Sequence, residues 1–235
     1  MINMKGLKSA LKRIPGASAI VQGIRKRQGR DSQPFETSGQ YWEERYRAGG
    51  NSGAGSYGRL ARFKAEILNG FVREHGIRSI VELGCGDGSQ LGLAEYPSYV
   101  GVDVSQVAVS LCRQKYASDA SKRFLASEEA QAEKPRGEAA FSLDVIYHLV
   151  EDQVYEHYMR DLFDAATNWV VIYSSNRDEW VQDAHVRHRM FSRWIAEHAP
   201  AWKLHEKIAQ RYRYEPGKED ETSFADFYIY RRIGA

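Results

Sequence analysis

The sequence predicts an α/β fold in which a doubly wound, mostly parallel sheet carries helices on both faces. Short apolar runs alternate with amphipathic helical patterns, a glycine-rich turn follows the first strong run, and 235 residues suit one sizeable α/β domain. With 43% hydrophobic and 27% charged residues, the composition is that of a globular protein and excludes wholesale disorder or a collagen-like repeat.

The predicted elements follow the periodicity of apolar residues. Helices are expected at 40–47, 59–75, 106–116, 153–166 and 186–198, with a further helical pattern between 83 and 99. Strands are expected at 79–83, 99–104, 124–125, 139–146, 169–173, 202–209 and 224–231. Residues 49–58 contain five glycines and predict a loop, either a cover for a bound cofactor or a flexible connector.

Charge divides the chain into an arm and a body. Residues 1–30 hold eight Lys and Arg and no acidic residue, whereas the rest of the chain has 25 basic and 31 acidic residues. We expect a basic amphipathic arm over 1–34 and one α/β domain over 35–235. The arm suits a peripheral contact with an anionic membrane, and a disordered or partner-bound arm fits equally well. The acidic body predicts no nucleic-acid partner.

Cysteine usage and hydropathy indicate where the protein works. Cys85 and Cys112 are too few to staple a domain of this length, which favours a reducing compartment. No stretch approaches the roughly 20 apolar residues that span a bilayer, and charge interrupts the N-terminus too often for a signal peptide. We therefore expect a cytoplasmic protein, which the arm would place at the inner face of the membrane if it binds anionic lipid.

The strand at 79–83 runs into a turn with glycines at positions 84, 86 and 88, which we expect to open a helix and to approach a ligand closely. A dinucleotide fingerprint would need glycine where Ser89 stands. Glu82 would repel a pyrophosphate but would stabilise the amino group or sulfonium of S-adenosylmethionine. A tight turn of another nucleotide-binding fold is the alternative.

The motif that carries a family resemblance is Glu82-Leu83-Gly84-Cys85-Gly86-Asp87-Gly88. With Asp103 at the end of the next strand, it resembles the class I S-adenosylmethionine-dependent methyltransferases over roughly residues 41–232. The resemblance implies a Rossmann-like, seven-stranded sheet with an antiparallel last strand, S-adenosylmethionine as cofactor and S-adenosylhomocysteine as product. It also implies that Asp103 binds both ribose hydroxyls, although that residue could merely cap a helix.

The residues expected to bind the cofactor are Glu82, Gly84, Cys85, Gly86, Gly88, Asp103, Val104, Ser127, Glu128 and Tyr41. Asp144 and His148 resemble the pair that follows the fourth strand of the family, which would place them beside the transferred methyl group. His148 would be the general base for a hydroxyl or amine, assisted by Asp144; a carboxylate or phosphate acceptor would need no base. Alternatively, a backbone carbonyl satisfies the His148 imidazole and Asp144 orients it.

The residues expected to bind the acceptor are Tyr147, Asn176, His188 and Arg189. The basic cluster at 185–189 would grip an anionic group or form a solvated helix face, and Asn176 would bind the acceptor or cap the next segment. Arg62 and Lys64 could bind a carboxylate or phosphate, but two cations on a helix are usually solvated, and we expect solvation here. In some small-molecule methyltransferases a Glu that helps hold a metal stands where Tyr147 lies here, so no metal is predicted.

The sequence therefore favours methyl transfer to a small molecule. The arm followed by this domain looks like enzymes of bacterial surface-polysaccharide clusters, which points to a sugar, sugar phosphate or glycan-linked group as acceptor. The alternative is a non-catalytic module that binds S-adenosylmethionine or a partner protein. Oligomeric state and the methylated atom are left open by the residues.

Overall fold

A seven-stranded sheet forms the centre of the fold in a computed structural model that describes residues 35–234. Its strands are β1 Ile80–Leu83, β2 Tyr99–Asp103, β3 Lys122–Ala126, β4 Gly137–Leu143, β5 Ala166–Ser174, β8 Trp202–Ile208 and β9 Asp226–Arg232. The strand order is β3-β2-β1-β4-β5-β9-β8, and β9 runs antiparallel to both of its neighbours. A separate hairpin pairs β6 Glu179–Trp180 with β7 Arg187–His188.

Six α-helices lie within residues 35–234. They are α1 Ser38–Arg47, α2 Gly58–Glu74, α3 Gln106–Lys115, α4 Ser127–Glu133, α5 Asp152–Asp164 and α6 Phe191–His198. One apolar core packs α2 and α3 against the sheet, and the other packs α5 and α6 against its opposite face. The predicted fold class, with helices on both faces and an antiparallel last strand, is thereby confirmed. No helix within residues 35–234 is long and apolar enough to cross a membrane.

The register brings the chemistry-bearing loops to one edge of the sheet. All four residues of β1 are buried, as expected for a central parallel strand, and β1 pairs with β2 on one side and β4 on the other. The connections leave β1 and β4 in opposite directions, so a crevice forms where these strands end. We call this edge, where β1, β2, β4 and β5 end, the carboxyl edge.

Two predicted helices differ from those observed. Between β1 and β2 only a short 3₁₀ helix, Gln90–Leu93, forms, because Gly88, Gly92 and Pro97 disfavour an α-helix. The positive end of an α-helix is therefore not available at the glycine-rich turn. The helix expected from residue 186 begins only at Phe191, because Arg187 and His188 pair with β6 instead.

The apolar pattern of 153–166 predicts that Val154, Tyr158, Leu162 and Phe163 of α5 face inward, and the structure corrects this in part. Tyr158, Leu162 and Phe163 pack inward, but Val154 is 44% exposed and Tyr155 and Met159 take the buried positions. The predicted basic arm, residues 1–34, lies outside the described residues, and its contact with a membrane stays a prediction. The boundary between arm and domain likewise stays a prediction.

Candidate cofactor and acceptor site

The turn after β1, Gly84–Gly88, adopts a conformation that requires glycine. Gly84, Gly86 and Gly88 all have positive φ, at 85°, 57° and 67°. The amides of Gly84 and Cys85 both donate to the carbonyl of Val102, at 2.7 and 3.1 Å. A Cβ on Gly84 would lie 2.4 Å from a methyl group of Val145, so a side chain there would push the loop after β4 away. We call Gly84–Gly88 the glycine turn.

Asp103, the last residue of β2, joins that strand to the glycine turn. Its Oδ2 accepts the Gly86 amide at 2.8 Å, and its Oδ1 accepts the Ser105 amide at 2.9 Å. Ser105, rather than Asp103, caps α3 by accepting the Ala108 amide on its hydroxyl. Burial raises the pKa of Asp103 to about 6. Each carboxylate oxygen keeps a lone pair for a further donor, as ribose recognition would require.

Glu82 lies beneath the glycine turn and is only 5% exposed. Its Oε2 accepts the hydroxyl of Tyr99 at 2.8 Å. Burial raises its pKa to about 7, while the Tyr99 hydrogen bond and the positive charge of Lys64 act in the opposite direction. Because its pKa lies near 7, the Glu82 carboxyl is partly ionised at neutral pH.

Residues 49–58, the glycine-rich segment, lie across the glycine turn. The Ser52 amide donates to Asp87 Oδ2 at 3.1 Å, and the Asp87 amide donates back to the Ser52 hydroxyl at 2.9 Å. Tyr57 donates to the same Asp87 oxygen at 2.7 Å, and the Tyr46 hydroxyl lies 3.0 Å from that of Ser52. The segment thus covers the turn, and it includes one 3₁₀ turn, Ala54–Ser56, which its glycine content had argued against.

Sequence reasoning missed the site residues Ser52, Tyr46 and Asp87. Asp87 stands at a variable position of the glycine motif, so only its place between two glycines hinted at a role. Ser52 and Tyr46 are recruited by contacts across more than 30 residues of chain, which no local pattern reports.

Asp144 is bound by a buried lysine. Lys64 is 1% exposed, and its Nζ lies 2.6 Å from Asp144 Oδ2, which corrects the prediction of a solvated lysine. Tyr147 donates to the other carboxylate oxygen at 2.8 Å. Asp144 makes no hydrogen bond to His148, but its negative charge acts to raise the pKa of that imidazole, and the expected assistance stays a prediction. Lys64 lies one turn from both Leu60 and Leu68 on the apolar face of α2, a spacing that signals burial.

The His148 imidazole is held by a carbonyl. Its Nδ1 lies 3.1 Å from the carbonyl oxygen of His185, which can only accept, so Nδ1 carries the proton. Nε2 is left as an acceptor, and no hydrogen bond within residues 35–234 uses it. Burial lowers the pKa of His148 to about 4. The backbone-carbonyl alternative is thus correct for Nδ1, and it leaves Nε2 able to act as a base.

Of the residues predicted to bind the acceptor, Asn176 and Arg189 bind other parts of the protein. Asn176 accepts both the amide and the hydroxyl of Ser192 at the start of α6, as the capping alternative anticipated. Arg189 is buried and donates to the carbonyls of Leu149 and Val150, and it forms an ion pair with Asp152. The expected anion-gripping role of Arg189 is therefore corrected, because its donors are already used.

The remaining predicted residues lie near the carboxyl edge. Val104 and Glu128 are exposed, and Ser127 is the first residue of α4. Tyr41 stacks on the His185 ring at 4.4 Å, which places it on the side of His148. Cys85 is buried next to Cys112, both free thiols. Within residues 35–234, no group of three His, Cys, Asp or Glu side chains could hold a metal ion.

Comparison with known proteins identifies the fold. Neither family models nor curated proteins give a match. Among solved structures, the N-methyltransferase NodS of Bradyrhizobium japonicum WM9 with S-adenosylhomocysteine is 16% identical with a TM-score of 0.64, covering 84% of this chain and 99% of that one. Magnesium protoporphyrin IX methyltransferase of Synechocystis PCC 6803 with bound S-adenosylmethionine is 13% identical with a TM-score of 0.59, covering 86% and 100%.

A third similar structure is the methyltransferase domain of bacterial CtHen1, which is 17% identical with a TM-score of 0.56 and covers 73% of this chain and 97% of that one. The chain therefore has the Rossmann-like fold of S-adenosylmethionine-dependent methyltransferases. Only the magnesium protoporphyrin IX methyltransferase is named for its acceptor, and the identities are too low to transfer it to this chain.

Proposed function

We propose that this protein transfers a methyl group from S-adenosylmethionine to a small-molecule acceptor and releases S-adenosylhomocysteine. The observation that carries the proposal is the hydrogen bond of 2.8 Å that the Gly86 amide donates to the Asp103 carboxylate. It fixes an acid beside a glycine turn at the crevice between β1 and β4, where ligands bind in open α/β sheets. Similar structures with S-adenosylmethionine or S-adenosylhomocysteine bound support the choice of cofactor.

The residues around the crevice fit this cofactor. The glycine turn offers close backbone approach, Asp103 has lone pairs for the ribose hydroxyls, and Glu82 supplies negative charge beneath a cationic ligand. Val104 and Ser127 follow β2 and β3 at the same edge, where the adenine would lie. When bound, S-adenosylmethionine supplies a methyl group activated by its positively charged sulfur.

His148 is the residue that we propose as proton acceptor. Its Nδ1 proton is committed to the His185 carbonyl, so only Nε2 can take a proton from a hydroxyl or amine. With a pKa of about 4 it is neutral at physiological pH, so Nε2 is available to accept a proton, although as a weaker base than an ordinary imidazole. The Asp144 carboxylate pairs with Lys64 and instead fixes the Tyr147 hydroxyl. Holding the reactants in line supplies much of the rate in such a displacement.

We further propose that the acceptor is a sugar or a glycan-linked group. Aromatic rings around His148 support a ligand with both apolar faces and hydroxyls: Trp42 lies 4.9 Å from its ring, and Tyr147 4.5 Å. A sugar phosphate is the weaker choice, because Arg187 and Arg189 both pair with Asp152.

The second candidate function is a binding module without turnover. The observation that favours it is the closeness of the glycine-rich segment to the glycine turn. A Cβ added to Gly86 would lie only 2.3 Å from the Ser52 hydroxyl oxygen. A segment so close to the turn would hinder exchange of cofactor. A protein that binds S-adenosylhomocysteine yet never consumes S-adenosylmethionine would support this alternative.

The test of the proposed function is release of S-adenosylhomocysteine during incubation with S-adenosylmethionine and a panel of neutral and anionic sugars. We expect turnover with at least one sugar, a much lower cofactor affinity in Asp103→Ala, and no change in the control Asp220→Ala at an exposed aspartate. Binding of neither cofactor form to the full chain would refute the proposal.

The basic arm is proposed to attach the enzyme to an anionic membrane surface through residues 1–30, so that a cytoplasmic enzyme works at the inner face. Its eight cations and the apolar positions between them support this. Removal of residues 1–30 should abolish partition onto vesicles that contain phosphatidylglycerol. Equal partition of the full and shortened chains would refute the attachment.

A further inference from the structure

Three side chains beyond the end of β5 form a hydrogen-bonded chain. The Ser175 hydroxyl lies 2.6 Å from Nδ1 of His188, and Nε2 of that imidazole lies 3.0 Å from a guanidinium nitrogen of Arg177. Ser175 is 2% exposed, and His188 is equally inaccessible. Neither residue is used by the proton transfer assigned to His148.

The direction of these hydrogen bonds follows from Arg177. A guanidinium has no acceptor, so Nε2 of His188 must accept and Nδ1 must carry the proton. Nδ1 therefore donates to the Ser175 oxygen, which leaves the serine hydrogen free to donate elsewhere. The same bonds exclude a nucleophilic Ser–His pair, because His188 cannot accept the serine proton on Nδ1 while donating there.

The His188 ring that binds Ser175 lies 6.2 Å from the ring of Tyr147, a residue expected to bind the acceptor. Phe224 packs on the rings of both His188 and Tyr147, at 4.7 and 5.0 Å, and Tyr147 holds Asp144. Within residues 35–234, Ser175 has no other hydrogen-bond partner. A buried donor without an acceptor is costly, by roughly 1–3 kcal/mol, unless a ligand completes it.

The charged side chains around Ser175, His188 and Arg177 are paired with opposite charges. Arg177 pairs with Glu179 at 2.5 Å, and Lys64 pairs with Asp144. Arg187 pairs with Asp152 at 2.8 Å. A charged group of the acceptor would meet no free opposite charge among these residues, so the complement of Ser175 is an uncharged oxygen.

We propose that Ser175 binds an uncharged oxygen of the acceptor, a hydroxyl or an amide carbonyl, by donating its hydroxyl hydrogen. Arg177 and His188 are positioning residues that fix the direction of this donor. The inference rests on the proposed function for the identity of the site, but the arrangement of protons does not.

The arrangement of protons is tested by nitrogen-15 NMR of the full chain labelled in histidine, with His188→Gln to assign the signal. We expect the Nδ1-protonated form at pH 6 to 8, and a mixture of forms in Arg177→Met. An Nε2-protonated His188, or an imidazole that gains a proton near pH 6.5, would overturn the proposal. This result does not depend on cofactor binding.

The ligand is tested by titrating the full chain, saturated with S-adenosylhomocysteine, with N-acetyl-D-glucosamine and D-glucose 6-phosphate. We expect the neutral sugar to shift the His188 signals, Ser175→Ala to weaken that binding by roughly three- to tenfold, and Ser175→Thr to restore it. Affinity for S-adenosylhomocysteine should be equal in all three proteins. Preference for the phosphate, an unaltered affinity in Ser175→Ala, or no binding of either sugar would overturn the proposal.

Loss of S-adenosylhomocysteine binding in the unmutated chain would instead refute the proposed function. The two failures are distinguishable, because the form of the His188 imidazole is measured without any ligand.

Discussion

Replacing Glu82 with glutamine should stabilise the protein while weakening its hold on the cofactor. Burial raises the pKa of this carboxyl from 4.5 to about 7, so the folded state resists its ionisation. At about 1.4 kcal/mol per pKa unit, the ionised carboxylate destabilises the fold by about 3 kcal/mol at pH 8. Glutamine carries no charge, and its amide oxygen can still accept the Tyr99 hydroxyl.

The sign of the pH dependence follows from the direction of the shift. Below pH 4.5 the carboxyl is protonated in both folded and unfolded chains, and the destabilisation is absent. It grows as the pH rises towards about 7 and is constant above that value. The advantage of Glu82→Gln in free energy of unfolding should thus rise from about 1 kcal/mol at pH 5 to about 3 kcal/mol at pH 8.

Urea unfolding at pH 5 and pH 8 measures this difference, with Glu74→Gln at an exposed position of α2 as the control. The variant should also bind S-adenosylmethionine more weakly, because the negative charge beneath the crevice is lost. An equal change in the free energy of unfolding at both pH values, or a loss of stability at pH 8, would show that the fold does not raise the pKa of Glu82.

Three further perturbations test the site. Lys64→Met should destabilise the fold by about 3–5 kcal/mol by leaving the Asp144 charge unpaired, and adding Asp144→Asn should recover much of the loss in urea unfolding. His148→Ala should lower kcat far more than it lowers cofactor affinity, and Asp103→Ala should lower cofactor affinity far more than kcat. In the unmutated protein, kcat should fall on acidification only towards the His148 pKa of about 4, with no step from His148 near 6.5. Gly55→Ala should speed release of S-adenosylhomocysteine in stopped-flow measurements, because its Cβ would lie 2.5 Å from Asp144 Oδ2 and displace the glycine-rich segment.

Specific outcomes would contradict these expectations. Equal stability of Lys64→Met and the double variant would show that the ion pair is not coupled. Because Glu82 and Asp103 have pKa values of about 7 and 6, only a kcat step near pH 6.5 that persists in Glu82→Gln and disappears in His148→Ala would mean that His148 is an ordinary exposed imidazole. For Gly55→Ala the matched control is Gly70→Ala, whose Cβ meets no atom within 4 Å, and equal release rates in both would show that the segment does not cover the cofactor.

The glycine turn and Asp103 could be predicted because their chemistry is local. The motif needs glycine where φ is positive, and Asp103 ends a strand whose apolar pattern is plain in the sequence. The seven strands and the antiparallel β9 followed from the family resemblance, since periodicity alone does not specify which strands pair.

Contacts between distant residues could not be predicted. Lys64 and Asp144 are 80 residues apart in the sequence, and a lysine two positions after Arg62 in a helix is usually solvated. Arg189 looked like an anion ligand because its carbonyl partners, Leu149 and Val150, lie some 40 residues away. The sequence shows which charges exist, but their partners depend on the assembled sheet.

Isothermal titration calorimetry of the full chain with S-adenosylhomocysteine and with NADH tests the central claim most directly. A site built from the glycine turn, Asp103 and Glu82 should bind the nucleoside and reject the dinucleotide, whose pyrophosphate would meet two buried carboxylates. Heat from NADH together with none from S-adenosylhomocysteine would contradict it.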